Sequence, residues 1–407
     1  MLKRECKTMC IMTRTFHPVG QGAFYTEKFD FGTGCKVNIV YDCGTHPSYG
    51  LKDEDMQKVI ENAFDRGERI DGVFISHFDA DHVNRFPRLF KHVGHKIGHI
   101  FLPHLTEEDI LLCLVERDFR SINLNDELEY ANAYRKLLKG QGQEDLFKRL
   151  GIDNGRENGP RIHLVGGEDA RGEVDGQERG YDKVKSGVDV ASHIWSSNFP
   201  SYKSTPFWQY IPFNFDTRNG SKRNAFRKVL ANYLKGKGRS IDEVFSSQDL
   251  LGELKKCYDE DVPGTANGNS MTLLSCAKIP WFNLYAVSCF GKSVLGQRRR
   301  IVRSGCLYTG DYCAKGKRRW HAFWNAYAAF MGDVGCVQLP HHGSDGNYNE
   351  MLGELDAVFV ACYGRRNIFQ HPGPQTMYHL GSKHRTTILV TEENASKYLQ
   401  KVCIPSL

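Results

Sequence analysis

Residues 75–82, Ile-Ser-His-Phe-Asp-Ala-Asp-His, put four metal-binding side chains, His77, Asp79, Asp81 and His82, within six positions. The residues leading into them, Ile-Asp-Gly-Val-Phe-Ile at 70–75, are short, apolar and β-branched or aromatic, the pattern of a buried strand. A strand that ends in such a cluster delivers imidazoles and carboxylates into a loop at a sheet edge. There they can converge on one point while the sheet holds them still. The plainer reading, a solvated acidic loop, leaves the two histidines and their place behind a strand unexplained.

The flanking blocks build on this unit. Residues 16–25 carry Val19-Gly20-Gln21-Gly22, a tight-turn pattern before a hairpin, and 37–45 read as a strand ending in Asp42-Cys43-Gly44. Apolar residues at Met56, Val59, Ile60, Ala63 and Phe64 follow helical spacing, so strand, helix and strand alternate in an α/β layer. A helix from 85 and a strand at 97–102 continue it. From 105 the character changes. Thr106 caps a helix reaching 116, 125–150 form a charged helix pair broken near Gly140, and 153–185 are loop around a strand at 161–165. Residues 207–215 read as a strand. Later come 267–275, with Asn267, Asn269 and Ser270 before an apolar run, and a strand ending in Thr309-Gly310-Asp311. An aromatic-rich helix at 318–330 is followed by Pro340-His341-His342-Gly343-Ser344 and by Asn367-Ile368-Phe369-Gln370-His371-Pro372. The final strand is placed at 387–391. His17 and His46 read as loop or surface residues.

Taken in this order, Val-Gly-Gln-Gly, Asp-x-Gly, His-x-Asp-x-Asp-His, Thr-Gly-Asp, His-His-Gly-Ser and Asn-x-x-x-His-Pro resemble the metallo-β-lactamase superfamily, whose usual signature is His-x-His-x-Asp-His. Asp79 in place of the second His is shared with one branch, the hydrolase domain of the DNA-uptake protein ComEC and its stand-alone relatives. The resemblance covers residues 16–102 and 267–392. It implies an α/β fold, the metallo-β-lactamase αβ/βα four-layer sandwich. Residues 11–104 and 267–395 are then its two halves, and 105–266 a large internal insertion, helical, loop-rich and basic.

The same resemblance implies two divalent metal ions, Zn or Mn, with Mg admitted by the oxygen-rich ligand set. His77 and Asp79 are assigned to one ion, Asp81 and His82 to the other, and Asp311 to the bridge. His341 or His342 completes the shell, and Asp42 braces the ligand loop from behind. Asp81 and Asp311 carry catalytic roles. His371 is a ligand, a general acid toward the leaving oxygen, or a buttress of its turn. The separate His that usual members place between the first cluster and the bridging Asp has no match; His163 and His193 lie in that interval and read as structural or exposed.

Two metals about 3.5–4 Å apart acidify a shared water and stabilise both oxygens of an in-line displacement, which suits phosphodiesters. Basic residues gather between Arg218 and Arg239, without an acidic residue, and again between Arg298 and Arg319 around Asp311. They point to a polyanionic partner, DNA or RNA, with Arg223, Arg227 and Asn367 as substrate contacts. Trp208, Tyr210, Trp320 and Trp324 are candidate stacking residues. Solvated helix faces and core aromatics are the plainer reading of each. The expected activity is therefore phosphodiester hydrolysis on nucleic acid. A hydrolase of small esters or nucleotides under a roofing insertion, and a slow regulatory module, are the alternatives.

Composition sets the class. With 407 residues, 40% of them hydrophobic, and a mean hydropathy of −0.48, the chain is expected to be soluble and large enough for more than one layer of core. No apolar run approaches the ~20 residues of a membrane span. Thirteen cysteines in no metal-finger pattern, many inside apolar runs, suggest a reducing, cytoplasmic setting. The net charge of +6 is mild, and the insertion offers a surface for a protein partner.

Overall fold

The computed structural model describes residues 8–405 apart from 33, 118–122, 153–158, 167–179, 197–206, 218–220, 262–269, 279–283, 291–292, 295–298 and 302. Arg218, Asn267, Asn269 and Arg298, singled out in the sequence, lie outside the described residues.

In chain order the strands are β1 (Thr8–Phe16), β2 (Phe24–Asp30), β3 (Lys36–Cys43), β4 (Ile70–Phe74), β5 (Ile97–Pro103), β6 (Arg161–Gly166), β7 (Asp182–Lys185), β8 (Trp208–Phe213) and β9 (Thr272–Ala277). They continue as β10 (Leu284–Phe290), β11 (Ser293–Val294), β12 (Arg299–Ile301), β13 (Gly305–Tyr308), β14 (Val334–Gln338), β15 (Val358–Cys362), β16 (Thr387–Val390) and β17 (Tyr398–Pro405). The helices are α1 (Asp53–Ala63), α2 (Ala80–Val83), α3 (Phe86–His92), α4 (Glu107–Val115), α5 (Leu124–Leu138) and α6 (Glu144–Leu150). After them come α7 (Ala191–Ser196), α8 (Ser221–Lys237), α9 (Ile241–Phe245), α10 (Gln248–Asp261), α11 (Lys317–Tyr327) and α12 (Pro374–Ser382).

Two sheets result. An eleven-stranded sheet runs β11-β10-β17-β1-β2-β3-β4-β5-β6-β7, with β12 on β10, and a six-stranded sheet runs β16-β15-β14-β13-β9-β8. From β3 to β7 neighbouring strands are parallel, as they are from β13 to β16. Side-chain alternation separates three cores. On β3, Val37, Ile39 and Tyr41 face the second sheet, while Val40 and Cys43 enter a core shared with α1, α3 and the helices of the 105–266 interval. On β13, Cys306 and Tyr308 face the first sheet and Leu307 meets α11 and α12. Helices, sheet, sheet and helices thus form four layers, a mixed α/β architecture consistent with the metallo-β-lactamase fold.

The interval 105–266 is not confined to helices and loops: β6 and β7 lengthen the first sheet and β8 edges the second. Thr106 makes its capping box with Asp109, and the charged pair resolves into α5 and α6. The strand at 387–391 is not the last. β17 follows it and pairs with β1 and β10. Its alternation is masked by Gln400, a polar residue at an inward position between Tyr398 and Val402, which accepts a 2.6 Å hydrogen bond from Arg14.

His163, His99 and His193 pack together on β6, β5 and α7. His99 Nδ1 lies 2.9 Å from His163 Nε2, and the His193 ring centroid is 4.7 Å from that of His163. Burial, then the neighbouring His193, lowers His99 to about 4 and His163 to about 3. An unfolded imidazole titrates near pH ~6.5. Between there and about pH 4 the unfolded chain binds protons that the folded one refuses, so stability falls as pH falls. The urea midpoint is expected to drop between pH 7 and 4.5, with a shallower slope for His163→Phe, which keeps a stacking ring. An unchanged slope in that variant would remove the cluster from the acid response.

Candidate metal centre

The ligands gather where strands of both sheets end. β4 runs into His77, Asp79, Asp81 and His82; β13 into Asp311; β14 into His341 and His342; β15 into the loop carrying His371. Met271 N donates to Ser76 O at 2.8 Å, and Tyr41 Oη to Met271 O at 2.7 Å, so the two sheet edges are joined beside the cluster.

Each imidazole is oriented from behind. Asp42 sits at φ 54°, a sparsely populated region for a non-glycine residue. Its Oδ1 accepts from Ser76 N at 2.7 Å, and its Oδ2 from Ser76 Oγ at 2.7 Å and from His82 Nδ1 at 2.8 Å. With its hydroxyl proton given to Asp42, Ser76 Oγ accepts from His77 Nδ1 at 2.8 Å. His342 Nδ1 donates to Cys362 O at 2.8 Å. All three therefore direct Nε2 toward the centre, where a neutral ring presents a lone pair to a cation.

What those atoms face is acidic. His82 Nε2 is 3.2 Å from Asp311 Oδ1, His77 Nε2 3.7 Å and His341 Nε2 3.5 Å from Asp311 Oδ2, and His342 Nε2 3.2 Å from Asp81 Oδ2. His77 Nε2, His82 Nε2 and Asp311 Oδ1 are buried without a hydrogen-bond partner. Ligands sharing a cation through bonds of ~2.0–2.2 Å stand roughly 3–3.6 Å apart, close to the 3.2–3.7 Å separations of these pairs. Among the described residues, His77, His82 and Asp311 form one group able to hold an ion, and Asp81, His82 and His342 another. The residues fit divalent metals.

The electrostatics agree. Burial pushes the Asp311 carboxyl up, but His341 and His82 outweigh it and hold the group well below the usual carboxylate range. Burial disfavours a charged His82, yet Asp311 and Asp81 raise it well above an ordinary imidazole. The acids demand positive charge, which a proton or a metal ion supplies.

The remaining predicted residues divide. His341 lies beside Asp311, and His342 beside Asp81 and His82, so both enter the cluster. Asp79 is drawn toward Arg117. Burial, with His342 and His341 next, lowers His371 to about 3, so it is neutral at pH 7. Gln21 Oε1 accepts from Gly364 N, which turns Gln21 Nε2 to His371 Nδ1 at 3.2 Å and leaves the ring proton on Nε2. Asn367 braces its own loop: its amide donates to Gly364 O and His371 O and accepts from His371 N. Arg223 is only 3% exposed and pairs with Glu108 and Asp109, and Arg227 pairs with Glu108, so both are engaged in the helical layer. Trp208 and Tyr210 are core residues. His17 is buried on Phe24, and His46 stacks on Tyr49 beside Phe369.

Sequence reasoning missed several supporting groups. Gln338 Oε1 accepts from Thr309 N and Gly310 N at 2.8 and 2.7 Å, which fixes the turn that carries Asp311. Asn347 holds Asp311 O and His341 Nδ1. A cleft of about 660 Å³ opens from Asp79 and Asp81 toward α5 and α6; Phe78, Tyr130, Lys148 and Glu127 line it, with Lys136 paired to Asp145 and Arg149 to Asp126 and Glu129 in its wall.

Residues 33–113, spanning β3 to α4 and the His-x-Asp-x-Asp-His stretch, match the family model described as Metallo-beta-lactamase superfamily. Among solved structures, a long form RNase Z from yeast is similar at 10% identity and a TM-score of 0.31; the match covers 81% of this chain and 32% of that one. No curated protein matches the chain. Among the described residues no helix is long and apolar enough to cross a membrane.

Proposed function

We propose that this chain, which carries a metallo-beta-lactamase superfamily domain, is a metal-dependent phosphodiesterase of the ComEC-like kind with a nucleic-acid strand as its leading substrate. One observation carries the reading: three buried, unpartnered ligand atoms, on His77, His82 and Asp311, converge at the joined edges of two sheets. Divalent ions bound there would supply Lewis acidity toward a phosphoryl oxygen and a water acidified near neutral pH. His77, His82, Asp311, Asp81 and His342 hold them, with His341 alongside. Ser76 and Asp42 keep the imidazoles in the ligating tautomer. The neutral His371 offers its Nε2–H as a hydrogen-bond donor rather than as a charged acid.

A 660 Å³ cleft suits a nucleotide-sized group, which favours a strand end over the middle of a duplex. A second reading, hydrolysis of a small phosphodiester or nucleotide, is favoured by the roof that α5 and α6 place over the cleft and by the internal pairing of Arg223 and Arg227. The test is turnover of end-labelled single- and double-stranded DNA, RNA and a small diester with Mn²⁺, Mg²⁺ or Zn²⁺ across a salt series. Strand cleavage that falls steeply with salt is expected. Salt-insensitive turnover of the small diester without strand cleavage selects the second reading. Failure on every phosphodiester sinks both.

A further inference from the structure

Asp79 stands apart from the other acids of the cluster. Its side chain is 36% exposed, against 10% for Asp311 and 17% for Asp81, and neither ligand group includes it. Its Oδ1 lies 3.6 Å from His77 Nε2, but it is also ion-paired to Arg117 Nη2. Arg117 follows α4, has a side chain only 11% exposed, and pairs through Nη1 with Glu127 of α5, itself 4% exposed. A chain of charges, minus, plus, minus, therefore runs from the ligand loop into the helices of the 105–266 interval. Glu127 and Asp79 line the same cleft.

A guanidinium is never deprotonated in a protein, so Arg117 is a fixed cation. It lowers the donor strength of Asp79 and repels a divalent ion beside it. Glu127 opposes both effects by drawing charge to the far side of the guanidinium. Among the described residues no guanidinium pairs with Asp81, whose carboxylate faces His342.

We infer that Arg117, held by Glu127, makes the two ion positions unequal: the Asp81–His82–His342 position is tight, and the position next to His77 and Asp79 is weak, its affinity set by α5. Arg117 and Glu127 are positioning residues, acting through Asp79. The inference rests on the metal-binding part of the proposed function and is independent of the substrate.

Competition of the full chain with a fluorescent chelator for Zn²⁺ or Mn²⁺ measures both affinities without any assay of activity. In the wild type, two sites differing at least ~10-fold are expected, the scale on which groups around metal ligands alter affinity. Glu127→Gln leaves Arg117 unopposed and should weaken the weak site further. Arg117→Met with Glu127→Gln removes both charges and should tighten it ~10-fold. These opposite signs distinguish an electrostatic latch from damage to the helix pair, which would weaken binding in both variants. Asp79→Asn should lose the weak site and keep the tight one. If the double variant does not fold, Arg117→Gln takes its place: loss of the cation should tighten the weak site, whereas damage to the helix pair would weaken it. Two equal sites in the wild type, same-direction changes in the two variants, or loss of the tight site in Asp79→Asn each overturn the inference. A wild-type chain that binds no metal overturns the proposed function with it.

Discussion

If the proposed activity holds, Asp81→Asn is expected to lower turnover at least ~10²-fold in a folded protein, the scale seen when a major stabilising group is lost at a reacting centre. Burial pushes the Asp81 carboxyl up, but His82 and His342 outweigh it and hold the group well below the ordinary carboxylate range. It is therefore an anion near neutral pH, 3.2 Å from His342 Nε2, while His342 Nδ1 is held by Cys362 O. Asparagine keeps the volume and removes that charge, so the group formed with His82 and His342 loses its carboxylate. On the proposed phosphodiesterase reading, substrate affinity is expected to change little, because the cations that would meet phosphate do not depend on Asp81. Removing one nearby negative charge can even strengthen their hold. The measurement is kcat at saturating substrate beside metal content per chain. Near-normal cleavage would remove Asp81 from the mechanism. Weaker binding with unchanged kcat would make the cluster a substrate-holding site.

The centre was legible in the sequence because its chemistry is local. Four ligand residues, two His and two Asp, follow one strand within six positions, and a strand end is where such residues can meet. Apolar periodicity gave the alternation of strand and helix in an α/β layer, and the four layers came from the family resemblance. Where partners lie far apart in the chain, the sequence misled. The basic run around Arg223 resembles a phosphate-binding stripe, yet Arg223 and Arg227 meet Glu108 across 115 and 119 positions, and no local pattern announces that. Arg117 and Asp79 are likewise paired across 38 positions. Asn367 precedes a predicted catalytic His by four residues, but its amide closes the turn between Gly364 and His371. The position of β17 was hidden by one inward Gln, explicable only once Arg14 is seen opposite it.

That same Arg14 belongs to the contact whose loss should cost the fold most. Arg14 on β1 and Glu27 on β2 are 0% and 2% exposed, with Arg14 Nε 2.8 Å from Glu27 Oε1. From the second sheet, Tyr308 Oη donates to Glu27 Oε1 at 3.0 Å, Tyr210 Oη to Oε2 at 2.9 Å, and Ser275 Oγ to Oε2 at 2.6 Å. One carboxylate thus joins β2 to β8, β9 and β13 through the apolar core between the sheets. Glu27→Ala leaves a guanidinium and three hydroxyls buried without their acceptor. Breaking one half of a buried ion pair costs about 3–5 kcal/mol, whereas replacing both halves with apolar groups of similar volume is often near neutral. The urea midpoint of Glu27→Ala should therefore fall sharply, and Arg14→Met with Glu27→Leu should regain at least about half of the loss. A cost below about 1 kcal/mol for the single variant would show that the sheets are held by apolar packing alone. Metal affinity should fall with the single variant and recover with the double. His77 and His82 hang from one sheet and Asp311 and His342 from the other, so their meeting depends on how the two sheets are locked.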